Sequence, residues 1–201
     1  MTRTVAAALL LLALAACSRG RPSTTPRPAA PAAPATEADA EYLRGRLLMV
    51  PVAGIAPERI PDTYQAARSG GRVHRALDIL APRGTPVVSA DDGRVYKVRS
   101  NALGGLTIYA VDTEERFIYY YAHLDAYRDG LREGMPLRQG DLLGYVGTSG
   151  NAPANTPHLH FQVMRMRPDR YWDGAPLNPL PFLSFSGLVR RSTMDSTATS
   201  R

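Results

Sequence analysis

The sequence predicts a mainly β fold, a compact antiparallel sheet of the sandwich or barrel-like kind preceded by one short helix. Three observations carry this. Short apolar runs of strand length recur, each bounded by Gly, Pro, Asn or Asp. Apolar and polar residues alternate over His158 to Val163, as they do along a half-buried strand. Only Glu37 to Met49 reads as helix, acidic at its start with Leu43, Leu47 and Leu48 near one face. At 201 residues the chain allows one domain with tails.

The N-terminal elements come first. Val5 to Leu14 is apolar, follows Arg3, and is too short to span a bilayer, which predicts a signal peptide over residues 1–16. The run ends Leu14-Ala15-Ala16-Cys17. Small residues before a cysteine resemble a bacterial lipobox, in which Cys17 is lipidated and becomes the first mature residue; a plain secretory signal with an incidental cysteine is the alternative. Cys17 is the single cysteine, which excludes an internal disulfide or a thiolate metal site. Ser18 follows it, and by resemblance to Gram-negative lipoproteins the lack of Asp there favours the outer membrane. The expected location is therefore the cell envelope, with a lipid anchor at Cys17 and the chain facing the periplasm. Residues 17–36 are rich in Pro, Ala and Thr and predict an extended linker. Residues 37–61 supply the helix and a connecting segment, 62–184 the main domain, and 185–201 a polar, flexible tail.

Within the main domain the strands follow one another closely. Val87-Val88 precedes the turn Asp91-Asp92-Gly93, and Val95 to Val98 follows it. Gly104-Gly105 leads into Leu106 to Val111, a charged turn into Phe117 to Ala122, and Gln139-Gly140-Asp141 into Leu142 to Val146. Tyr171 and Trp172 sit in a Pro- and Gly-rich segment and read as packing residues. The formal net charge is +6, much of it on arginines of the linker and C-terminus. No Lys/Arg run or aromatic-interleaved RNA motif accompanies it, so nucleic acid is not an expected partner.

The chain has only four histidines, His74, His123, His158 and His160. In a strand, Leu159, Phe161 and Val163 face the core, while His158, His160 and Gln162 share the opposite face. Two imidazoles so placed can converge on one ion or on its bound water, although His-x-His alone is a weak signal. His74 and Asp78 would lie roughly 13 Å apart in an extended strand, so the chain must bend between them if they share a metal. A loop carrying His74 into a strand that begins near Asp78 satisfies this. Two imidazoles and a carboxylate suit a catalytic zinc site that leaves one position for water. The same set describes a non-haem iron triad, but an envelope protein is a poor place for ferrous iron. His123, at the end of an aromatic strand, reads on its own as a satisfied strand-end histidine. Arg68 and Arg72 read as exposed arginines able to meet an anionic peptide, and stay outside the site.

Several motifs recur in order over residues 62–183: Gly71-Arg72-Val73-His74-Arg75-Ala76-Leu77-Asp78-Ile79, Ala81-Pro82-Arg83-Gly84-Thr85-Pro86, Tyr121-Ala122-His123-Leu124, Gly140-Asp141-Leu142-Leu143-Gly144, His158-Leu159-His160-Phe161 and Leu177-Asn178-Pro179. This pattern resembles the M23 (LytM-like) family of zinc metallopeptidases, which includes the lysostaphin-type cell-wall endopeptidases. Ala76 stands where many members carry Gly. The resemblance implies a compact antiparallel module with its site in a groove walled by loops such as 101–105 and 150–157. It implies one zinc ion held by His74, Asp78 and His160, with His158 and His123 as the unliganded catalytic histidines. His158 is expected as general base and acid, His123 as the orienting or oxyanion-stabilising group, and the two roles are exchangeable at this stage. The implied substrate is peptide in peptidoglycan, cut in stem peptides or cross-links. The alternative is a non-catalytic module of the same type that activates a cell-wall amidase or division partner. Residues 37–62, lying directly before the site, are a candidate flap over the groove.

Overall fold

The computed structural model describes residues 32–186. The expected signal peptide, Cys17, the linker before residue 32 and the tail from residue 187 lie outside the described residues.

One helix, α1 (Glu37–Arg46), precedes the strands β1 (Leu48–Val50), β2 (Ala67–Arg68), β3 (Arg72–Val73), β4 (Leu77–Leu80), β5 (Pro86–Val88), β6 (Gly93–Asn101), β7 (Gly105–Asp112), β8 (Phe117–Tyr127), β9 (Pro136–Leu137), β10 (Leu142–Val146), β11 (His158–Arg165), β12 (Pro176–Leu177) and β13 (Leu183–Ser186). Nine of them form one sheet in the order β12-β11-β8-β7-β6-β9, with β4 on β11, and β10 on β8 and β5. Every pairing in it is antiparallel. The expected mainly β, antiparallel module is thus the observed one. Two small ribbons accompany the sheet: the antiparallel β2–β3 hairpin and a parallel pair, β1 with β13. The second of these carries the chain two residues past 184, where the tail was expected to begin.

The helix starts on a capping box. Thr36 accepts from the Asp39 amide at 3.3 Å, and the Asp39 carboxylate accepts from the Thr36 amide at 2.8 Å. Glu37 and Asp39 in the first turn and Arg44 and Arg46 in the last suit the helix dipole. The helix ends earlier than its leucine pattern predicts. Leu47 turns left-handed (φ 51°), is 59 % exposed, and releases Leu48 to Val50 into β1, where they gain ladder bonds with β13. The helix is then held from three sides. Leu43 is fully buried, Tyr42 stacks on Phe117 with ring centres 5.5 Å apart, and Arg46 donates twice to the buried Asp91 at 2.8 and 2.9 Å.

Residues 37–61 are consequently part of the core. Leu43, Leu48, Val50, Val52 and Ile60 pack in one cluster with Leu77, Ile79, Tyr119, Tyr121, Leu159 and Phe161 of the sheet. None of residues 37–62 lines the groove of the opposite face, so the expected flap is not what this segment forms. A smaller cluster, Tyr109, Val111, Ile118 and Met164, lies apart from it on residues of alternate register in β7, β8 and β11. Removing the helix anchor should cost stability accordingly. Leu43→Ala is expected to destabilise the chain by about 2–5 kcal/mol, the range for emptying a fully buried leucine site, read from the urea midpoint at unchanged slope.

Candidate metal centre and groove

Strand register assembles the site. His160 of β11 stands opposite Asp78 of β4 on one side and Ala122 of β8 on the other. Residues in one row across a sheet project from the same face. Leu77 and Ile79 flank Asp78 and are buried in the core, as Leu159 and Phe161 are around His160, which turns the carboxylate and the imidazole outward together. His158 shares that face two residues earlier, as the alternation predicts.

His74 arrives by the bend that its spacing from Asp78 demands. Arg75 adopts φ 61°, so the chain turns between the end of β3 and the start of β4. The segment around Thr63 clasps this turn. The His74 amide donates to Ala66 at 2.9 Å and the Arg75 amide to Tyr64 at 2.8 Å. The Thr63 hydroxyl accepts from the Asp78 amide at 3.0 Å, and its carbonyl accepts from His74 Nδ1 at 2.9 Å. Asp62 fixes this segment in turn, accepting from the Tyr64 amide at 3.0 Å and from the Asn178 side chain at 2.9 Å. The Leu177-Asn178-Pro179 motif therefore acts on His74 through Asp62 and Thr63. Sequence reasoning did not single out Thr63, because its acceptor is a main-chain carbonyl that every residue type carries.

His123 reaches the same face through a bulge. Between Leu106↔Leu124 and Ile108↔Tyr121, β8 has one residue more than β7. Tyr119 and Tyr121 point into the core and so does Leu124, which leaves Ala122 and His123 both outside it. His123 accommodates this with φ 62°. Its amide donates to Gly104 at 2.7 Å and its Nδ1 to the Ser149 carbonyl at 2.9 Å.

Three of the four rings are thus held alike. A carbonyl can only accept, so Nδ1 of His74, His123 and His158 carries the proton, the last donating to Thr156 at 2.8 Å. Each leaves its Nε2 lone pair free, a common arrangement for histidines that bind metal or move protons. His74 Nε2 lies 3.0 Å from both His160 Nδ1 and Asp78 Oδ1, and the last two are 3.1 Å apart. Ligands about 2.0–2.1 Å from a tetrahedral zinc would lie roughly 3.3–3.4 Å apart, so this donor triangle fits such an ion after a slight opening. The donor set is the nitrogen and oxygen chemistry zinc accepts. Among the described residues this is the one group of three such side chains close enough to share an ion. His158 Nε2 stands farther off, 3.7 Å from Asp78 Oδ1, and the His123 and His158 ring centres are 5.0 Å apart.

Burial opposes charge on Asp78, but hydrogen bonds from His160 and Arg68 prevail and hold its carboxyl well below the usual carboxylate range. Burial pushes His160 down, with Asp78 opposing. It pushes His123 down to about 4, with the Ser149 carbonyl opposing, so His123 is neutral at pH 7. Arg68 donates to Asp78 Oδ2, leaving Oδ1 to the histidines. This contact was not foreseen, and it brings Arg68 into the site.

All five residues line one groove of about 690 Å³. The expected walls are present, Leu103 and Gly104 from one loop and Asn151, Pro153 and Thr156 from the other. They are locked together where Gly105 (φ 65°) meets Gly150 (φ 74°): a Cβ on Gly150 would stand 2.3 Å from the Gly105 amide nitrogen. A further wall, the β2–β3 hairpin with Arg68 and Arg72, was not foreseen. Tyr171 packs edge-on against Tyr109, as expected, whereas its neighbour Trp172 is 55 % exposed.

The model of peptidase family M23 matches residues 72–179. The chain belongs to peptidase family M23. The match encloses all four histidines and Asp78 and ends on the Asn178-Pro179 pair; Thr63 and α1 lie outside the M23 span. The L-Ala--D-Glu endopeptidase of Bacillus subtilis (strain 168) is 33 % identical over 122 residues, 57 % of this chain and 37 % of that protein. The uncharacterized lipoprotein YgeR of Escherichia coli (strain K12) is 31 % identical over 124 residues, 62 % of this chain and 43 % of that protein. The chain thus spans less than half the length of these two M23 relatives. The solved structure of LytU is 30 % identical, with a TM-score of 0.51 over 62 % of this chain and 83 % of that one.

Two outcomes are expected from the geometry. His123 has an ordinary pKa of 6.5 when unfolded and about 4 when folded. Its contribution to stability is complete above pH 6.5 and is lost as the pH falls toward 4, because only the unfolded chain takes up the proton in that window. Denaturation midpoints across this range should fall less steeply in His123→Gln than in the parent. Gly150→Ala should destabilise the chain by about 1–3 kcal/mol and loosen the His123–Ser149 contact, visible as a shift of the His123 ring resonances.

Proposed function

We propose that this chain is a zinc metalloendopeptidase that hydrolyses peptide bonds in peptidoglycan stem peptides or cross-links, tethered to the membrane through lipid on Cys17. One observation carries the reading. Three donor atoms, on His74, Asp78 and His160, meet at 3.0–3.1 Å beside two further imidazoles whose Nε2 atoms are free in the same groove. A structural zinc site closes all four positions, typically with cysteine; three donors and two unliganded bases are the parts of a hydrolytic site. The name of the Bacillus subtilis relative, an L-Ala--D-Glu endopeptidase, supports endopeptidase action on a peptide, and that of YgeR supports a lipoprotein.

Bound zinc supplies Lewis acidity and a water whose pKa lies near 7. The residues of the chain do the rest. Asp78, kept ionised by His160 and Arg68, contributes the one negative charge of the donor set. His158, its Nδ1–H committed to Thr156, presents Nε2 as the base that takes the proton of the attacking water and returns it to the leaving amine. His123, neutral and fixed by Ser149, orients the reacting groups from beside His158, the two ring centres 5.0 Å apart. The groove admits an extended peptide between its loops.

Metal analysis with zymography on purified sacculi tests this. The expected result is one zinc per chain and lysis abolished by a chelator. His160→Ala should lose both metal and lysis, while His158→Ala should retain zinc and lose about 10²–10⁴-fold in rate. A zinc-loaded chain that leaves sacculi intact yet stimulates an amidase would replace this reading with the activator.

A further inference from the structure

The β2–β3 hairpin sets two arginines against each other. Arg68 and Arg72 are directly opposed across its strands, an arrangement that like charges disfavour. The turn between them, residues 69–71, is tight, with Gly70 at φ 73° and Gly71 at φ 71°. Arg68 is neutralised by Asp78. Arg72 is exposed and has no acidic partner among the described residues; its Nε donates to the Ser69 carbonyl at 3.2 Å. Both side chains line the groove.

The charge of the groove is correspondingly one-sided. Among the described residues Asp78 is the one acidic group that lines it, and both carboxylate oxygens are already engaged, Oδ1 beside His74 and His160 and Oδ2 by Arg68. The loop walls are neutral, built from Leu103, Gly104, Asn151, Ala152 and Pro153. A guanidinium with unspent donors on a concave wall, and no carboxylate of the described residues to meet them, fits an anion that arrives with the ligand.

We propose that Arg72 is a specificity-determining residue whose guanidinium receives a carboxylate of the bound peptide on the hairpin side of the scissile bond. This rests on the peptidase reading given above. The ligand chemistry is a carboxylate, from either the side carboxylate of an acidic residue or a free C-terminus. Arg68 stays on Asp78, so the subsite belongs to Arg72 alone. A peptide with a free acid at that position is the preferred substrate, and its amide the poorer one.

Three synthetic cell-wall peptides of one sequence test this: both carboxylates free, the side carboxylate amidated, and the C-terminus amidated. With the zinc-supplemented full chain, one of the two amidations should lower kcat/KM by about tenfold, chiefly through KM, the size of a lost charge-assisted hydrogen bond. Whichever amidation does so names the source. In Arg72→Gln the same comparison should differ by less than about twofold, with Arg72→Lys intermediate. The thermal midpoint of Arg72→Gln should be unchanged or higher, since the opposed charges are relieved. Equal acid-to-amide ratios in the parent and Arg72→Gln, for both amidations, overturn the proposal. Calorimetric binding of the same peptides to His158→Ala, with and without Arg72→Gln, separates the two readings. An Arg72-dependent preference for acid without turnover in the parent removes the peptidase and keeps the subsite. Turnover without that preference removes the subsite and keeps the peptidase.

Discussion

The antiparallel register of β11 between β4 and β8 is the constraint on which the site depends. It puts Asp78, His160 and Ala122 in one row across three strands, and the two-residue period of the pleat does the rest. Because Leu159, Phe161 and Val163 fill the core from the alternate positions of β11, a slip of that strand by one residue would expose three large apolar side chains. The hydrophobic core therefore enforces the meeting of the carboxylate and the imidazole. Ala122 contributes by being small: it sits in the row beside His160 and leaves space above it.

The remaining groups are brought in by departures from regular structure. His74 comes through a left-handed residue, His123 through a bulge, and each is then fixed by a backbone carbonyl. Strands alone would supply precise spacing on a plane, but donors that converge to within 3.1 Å of one another in a walled groove need groups from outside that plane. The irregular segments supply them, and the sheet keeps them from wandering. The clasp from Asn178 through Asp62 and Thr63 to His74 shows how far the support extends: it joins the last motif of the family span to a segment that precedes that span.

Much of this was legible in the residues and some was not, for definite physical reasons. The shared face of His158 and His160 follows from strand period alone, and the turn between His74 and Asp78 follows from their reach. The loop walls came from the family resemblance and not from the residues of the loops themselves. The end of α1 was not, because Leu47 and Leu48 suit a helix locally and only the ladder with β13 decides otherwise. The bulge at His123 was hidden because nothing in Tyr-Ala-His-Leu tells one extra residue from a continuous strand. Thr63 was hidden because carbonyls have no letter of their own. The arginine hairpin was hidden because an exposed arginine looks the same wherever it sits, until the fold brings it to the rim of a cleft.

The extra residue in β8 divides that strand into two stretches of opposite phase. Before it, odd-numbered side chains fill the interior; beyond it, even-numbered Leu124 does so. Loss of a single residue there would restore an unbroken ladder with one outward position between Tyr121 and Leu124: without Ala122 the imidazole would shift into the row beside His160, and without His123 there would be none. A length change at this point would thus displace or remove the imidazole while leaving a well-formed sheet behind, so the architecture tolerates an alteration that the arrangement of the four rings does not.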